Sequence, residues 1–143
     1  MSIGIAFRVS VSSSAALAAL ALLAGVSTGA TAQEMKSGEQ VYKETCFVCH
    51  ATGVEKAPKL GDRKTWAPLI KEGQHVLTAH GWVGVRAMPP KGGKPDLSLE
   101  EFSRATAYMA RASGGDWKDP DAAMLKRIRA EEKKRVDALK AKK

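Results

Sequence analysis

Five consecutive residues, Cys46-Phe47-Val48-Cys49-His50, constrain this chain more than anything else in it. Two thiols three positions apart suit a disulfide, a redox dithiol, a metal site or a covalent attachment, and the rest of the sequence sorts these. The chain has only two cysteines, so no second pair completes the four ligands of a structural zinc site. A redox C-x-x-C belongs in a βαβ context, and no sustained β-alternation occurs here. A disulfide remains open but leaves His50 without a purpose. C-x-x-C-H is the haem-attachment motif: the thiols add to the two vinyl groups on one porphyrin edge, and the following imidazole lies under the ring within reach of the iron.

Residues 1–32 read as an address rather than as part of a fold. Arg8 is the only charge before Glu34, a twelve-residue apolar run spans Ala15 to Val26, and the triplet Ala30-Thr31-Ala32 follows. That is the layout of a secretory leader, with cleavage predicted after Ala32. The run is too short for a membrane span, which needs roughly 18 to 20 apolar residues. Export implies an oxidising compartment, the periplasm.

The formal charge of the whole chain is +8. Without Arg8 it is +7, of which residues 33–115 (12 basic, 9 acidic) carry +3 and residues 116–143 (10 basic, 6 acidic) carry +4. Such a surface suits acidic protein patches or anionic lipid, and export disfavours nucleic acid. The expected organisation is a leader over 1–32, a domain over 33–115 and a charged extension over 116–143.

Within the domain, Ser37-Gly38-Glu39-Gln40 has the form of a capping box, which predicts a helix from Gly38 into Cys49. Ala51 to Asp62 reads as a loop. A helix over Arg63 to Glu72, stopped by Gly73, and a shorter helical turn over Gln74 to Gly81 follow. The glycines and prolines from Trp82 to Lys94 exclude a long element. A second capping box, Ser98 to Glu101, starts a helix whose apolar face carries Phe102, Ala105, Thr106 and Met109 and which ends at Gly114-Gly115. The extension shows only an interrupted stripe of Met124, Leu125, Ile128, Val136 and Leu139, the pattern of a solvated helix or fraying tail. The whole predicts an all-α domain with long loops.

An iron bound by His50 on one side poses the question of its other side. The candidates are Met35, Met88, Met109, Met124, His75 and His80. Met35 lies at the mature terminus, Met124 in the extension and Met109 on a core-facing stripe. Met88 is favoured: it precedes Pro89-Pro90, which push it into an extended conformation on a stiffened loop. An open haem with a polar distal group, His75 or His80, is the enzyme or gas-binding alternative.

The sequence resembles a class I cytochrome c, and specifically the cytochrome c5 family of small bacterial electron carriers. The resemblance runs through Gly38-x-x-x-Tyr42, Cys46-x-x-Cys49-His50, Ala57-Pro58-Lys59-Leu60-Gly61-Asp62, Trp66, Met88-Pro89-Pro90-Lys91-Gly92-Gly93 and Tyr108-Met109. It covers about residues 35 to 112. It implies the class I cytochrome c fold around one haem c held by two thioethers, with His50 and Met88 as axial ligands. It also implies that the Pro58 carbonyl accepts the second imidazole N–H, that the helix of Gly38 and Tyr42 crosses the last helix of the domain near Tyr108, and that Arg63, Lys64 and the Trp66 indole face the haem propionates. The implied work is electron transfer between periplasmic or membrane redox partners with acidic docking patches. Neither catalysis nor a transmembrane mature form is implied, and membrane contact through the basic tail stays open. The additional cysteine pair that some members of the family carry is absent here, and the resemblance assigns nothing to residues 116–143.

Overall fold

In the computed structural model, which describes residues 34–142, the Ser37 hydroxyl accepts from the Gln40 amide (3.2 Å) and starts helix α1 (Gly38–Val41). Gln40 does not turn back to complete a box. Its side chain donates forward to Glu44 (3.0 Å), a carboxylate that also pairs with Lys36. The chain continues through a π-helical turn (Tyr42–Cys46) into α2 (Phe47–His50), the Phe47 amide donating to the Tyr42 carbonyl five residues back. A uniform helix is the reading from sequence. The wider turn re-aims the residues that follow it, and such turns concentrate at functional sites.

Asp62 caps α3 (Arg63–Glu72), and α4 (Gln74–Val83) follows after Gly73. Helix α4 is longer than the sequence suggests because it continues past Gly81 through Trp82 and Val83. Gly81 serves here as a point of close approach rather than a stop: a Cβ on it would stand 2.9 Å from Phe102 Cζ and 3.4 Å from Met88 Cε. Helix α5 (Leu99–Ala112) has the reciprocal cap the sequence announces, with the Glu101 amide donating to Ser98 Oγ and the Ser98 amide to the Glu101 carboxylate, each at 3.2 Å. Its buried face includes Phe102, Ala105, Thr106 and Met109. Among the described residues all regular elements are helical, and the only extended pairing is an isolated bridge between Val85 and Met88.

Two contacts set the frame. Helix α1 lies so close to α5 that a Cβ on Gly38 would fall 2.2 Å from the Arg104 carbonyl oxygen, and the Tyr42 and Tyr108 rings meet beside it at 5.5 Å. At the other side, residues 116–142 are not a solvated tail. Helix α6 (Ala122–Lys140) packs along α4, with Ile128 fully buried and Trp117 nearly so. The apolar stripe is as thin as the sequence indicates, but polar side chains reinforce it. Trp82 Nε1 donates to Glu132 (2.9 Å), Gln74 to the Lys118 carbonyl (2.8 Å) and Arg135 to the Gly84 carbonyl (3.2 Å). A pattern that counts apolar positions misses latches of this kind. The leader expected over residues 1–32 lies outside the described residues.

Ile128→Ala is expected to lower unfolding stability by about 2–5 kcal/mol, the usual loss for truncating a buried aliphatic side chain. A solvated tail would lose no more than about 0.5 kcal/mol, and denaturant unfolding of the haem-bearing protein distinguishes the two.

The α4–α6 seam also responds to pH. Arg127 Nη2 lies 3.0 Å from His75 Nδ1, and a guanidinium can only donate, so His75 accepts as a neutral ring. Burial, and then the charge of Arg127, hold the His75 pKa below its usual 6.5. The unfolded chain therefore binds the proton more readily below about pH 6.5, and stability present above that pH is lost as pH falls. Denaturation midpoints should drop between about pH 7 and pH 5, and His75→Gln should remove part of that slope.

Candidate functional site

The helix of Gly38 and the loop after it deliver a compact donor set. Cys46 is buried, Cys49 half-buried, and the two are not joined by a disulfide. Burial, with a smaller contribution from Cys49, pushes the Cys46 thiol up to about 11. Among the described residues no group of three or more His, Cys, Asp or Glu side chains converges as a metal site would require.

His50 is buried, with its Nδ1 2.9 Å from the Pro58 carbonyl oxygen. A carbonyl can only accept, so Nδ1 carries the proton and Nε2 keeps a free lone pair. The loop that supplies this carbonyl is itself tied down. Leu60 donates to the His50 carbonyl (2.8 Å), Gly61 to the buried Ser113 hydroxyl (3.0 Å) and Trp66 Nε1 to the Lys59 carbonyl (2.8 Å). The irregular stretch from Ala51 to Asp62 thus holds one imidazole in one orientation.

These residues line a cavity of about 400 Å³, within the roughly 300–1,000 Å³ typical of cofactor sites. Cys46, Cys49 and His50 enter from one wall, and Trp66, Leu69 and Leu77 from α3 and α4. Phe102, Thr106 and Met109 of α5 and Met88 of the loop after α4 complete the apolar part. Met88 is pinned twice through its backbone: its amide donates to the Val85 carbonyl (2.9 Å) and its carbonyl accepts from the Val85 amide (3.1 Å). The proline after it is therefore one of two restraints. Met35 and Met124 do not reach the cavity, and His80 does while His75 does not.

One expected contact is corrected. The Trp66 indole N–H is committed to Lys59, and the ring is 2% exposed, so Trp66 lines the cavity as an apolar wall and has no donor left for a propionate. Arg63 and Lys64 are exposed and do not line the cavity. Residue spacing cannot reveal which acceptor a tryptophan finds. A buried imidazole with a free Nε2, two thiols, a thioether and an apolar slot nevertheless fit a haem in donor type and in shape.

The comparisons with known proteins agree. The family described as “Cytochrome C oxidase, cbb3-type, subunit III” matches residues 33–109. The chain is similar to cytochrome c-555 of Chlorobaculum tepidum, with 40% identity over 104 residues, 70% of this chain and 94% of that protein. It is similar to cytochrome c5 of Azotobacter vinelandii, with 39% identity over 77 residues, 52% of this chain and 93% of that protein. A solved chain from “Crystal structure of electron transfer complex of nitrite reductase with cytochrome c” superposes with a TM-score of 0.52 and 45% identity, covering 53% of this chain and 93% of its own. This chain belongs to the cytochrome c family. As a cytochrome c it carries covalently bound haem c and transfers electrons, and it is a carrier rather than an enzyme. The class I cytochrome c fold, all-α around the cavity, is the architecture found. Sequence reasoning missed Arg135, which reaches the cavity wall from α6, beyond the part of the chain that the family spans.

Trp66→Phe should cost about 1 kcal/mol, the net value of one hydrogen bond, and leave the midpoint potential of the haem unchanged. A clear shift in potential would reinstate a propionate contact for the indole.

Proposed function

We propose that one haem is attached by thioethers to Cys46 and Cys49, with His50 Nε2 and Met88 Sδ as its axial ligands, and that the protein shuttles single electrons between redox partners in the periplasm. The observation that carries this reading is the Nδ1 bond from His50 to Pro58, which selects the tautomer whose Nε2 can ligate and raises its basicity. When bound, the haem supplies a ferrous/ferric couple, and a Met/His pair tunes that couple toward high potential. The residues of the chain do the rest. Cys46 and Cys49 hold the ring edge, His50 and Met88 fill both axial positions so that no site is left for substrate, and Trp66, Phe102 and Met109 keep water away.

Met88 is preferred to Met109 as the distal ligand because its backbone is pinned by a two-way bonded turn, whereas Met109 is 4% exposed on the core face of α5. Residues 1–32 serve as a cleaved leader in this reading, residues 33–115 are the haem domain and 116–143 its charged extension. Among the described residues no helix is long and apolar enough to cross a membrane. Phe47 and Val48, 53% and 72% exposed beside the attachment cysteines, with Val54 at 49%, form an apolar rim at which a partner could approach the ring edge. The solved relative in complex with nitrite reductase supports a protein partner, and the excess of basic residues favours an acidic docking patch on it.

Met88→Ala should lower the midpoint potential by more than about 59 mV, a tenfold change in relative affinity for the two oxidation states. It should also open the iron to carbon monoxide. Met109→Leu should change neither. If the two variants exchange these effects, Met109 is the ligand.

A further inference from the structure

Helix α6 sends one side chain to the cavity wall, Arg135. Its Nη2 donates to the Gly84 carbonyl (3.2 Å), yet its Nε is sealed from solvent and has no partner among the described residues. None of the ion pairs among the described residues includes it. Arg135 as a whole is half-buried, but a guanidinium cannot relieve a sealed donor by losing a proton, and such a donor left without an acceptor is unfavourable. That Nε is open to an acceptor.

The cavity that Arg135 lines offers such an acceptor a way in. Helix α6 packs along α4, whereas the cysteines ride on a helix packed against α5, so Arg135 and the two thiols enter from different walls. A haem held at its vinyl edge turns its opposite edge, which carries two carboxylates, away from the cysteines. Lys56 and Arg86 also line the cavity but are exposed to water, and only Arg135 brings a donor already stripped of solvent. The titratable group shown to feel the charge of Arg135 is His80 on α4, which also feels Glu72 on α3 and Glu131 on α6 and whose Nδ1 lies 3.4 Å from the Glu72 carboxylate.

We propose that Arg135 pairs with a haem propionate, making the C-terminal helix part of the haem site. This rests on the reading that the cavity holds haem attached through Cys46 and Cys49. Arg135 neutralises the carboxylate, keeps it ionised, and ties α6 to the prosthetic group as well as to α4.

The test uses the full-length haem-bearing protein with Arg135→Met and Arg135→Lys. Arg135→Met should shift the ferrous-to-ferric ratio at fixed poise about tenfold toward ferric, equivalent to about 59 mV. Its potential should also fall with rising pH between about pH 5 and pH 8, as the uncompensated propionate loses its proton, in a slope that persists in a His80→Gln background. Arg135→Lys, which keeps the charge, should stay near wild type. Equal shifts in both variants, or none in either, would overturn the proposal. Should Arg135→Met not fold, wild-type ferrous protein decides alone: nuclear Overhauser contacts between the Arg135 side chain and the propionate methylenes are expected, and their absence from assigned spectra overturns it. Mass spectrometry of the denatured wild type separates the two readings. A polypeptide without covalent haem sinks the proposed function, whereas covalent haem with none of these effects sinks only the role of Arg135.

Discussion

Helix α1 can rest on the backbone of α5 only because Gly38 has no side chain, and most of the site is referenced to that contact. A Cβ would fall 2.2 Å from the Arg104 carbonyl oxygen, far inside contact distance. Backbone cannot yield as a flexible side chain can, so any larger residue drives the two helices apart. Cys46, Cys49 and His50 ride on the continuation of α1, while Phe102, Thr106 and Met109 face them from α5. The spacing between these two groups determines whether a flat ring fits between them. Tyr42 against Tyr108 adds an aromatic contact beside the crossing.

The opposite half of the cavity is organised by hydrogen bonds to loop backbone rather than by helix packing. Pro58, Lys59 and Gly61 each engage a side chain, of His50, Trp66 and Ser113 respectively. Val85 and Met88 engage each other. Long loops are normally the mobile part of a small domain, and here they are immobilised where they carry functional side chains. Low reorganisation on a change of charge is what an electron carrier requires of its surroundings.

Much of this was legible in the residues. The C-x-x-C-H motif named the chemistry, Ser98 and Glu101 marked the start of α5, and the apolar spacing from Phe102 to Met109 marked its buried face. What stayed hidden was pairing between groups far apart in the chain. The indole of Trp66 spends its proton on a carbonyl seven residues back, and Gly81 is small because Phe102 presses on it, neither of which periodicity can report. The extension was misjudged for a related reason. Its few apolar residues promised little burial, but Trp82 to Glu132, Gln74 to Lys118 and Arg135 to Gly84 dock it with polar contacts, and these leave no hydropathy signature.

The docking of α6 has a consequence for the order in which the site can be made. A chain exported amino terminus first, as proposed, delivers its attachment cysteines well before residues 122–140. Until the last helix emerges, Trp82 has no acceptor on α6 and the wall of the cavity beside Gly84 and His80 stands open. A bulky planar group inserted at that stage meets a gate rather than a closed slot, and the final helix then shuts behind it. A carboxy-terminal segment can in this way act as the closing step of assembly in a protein whose chemistry is encoded near the other end.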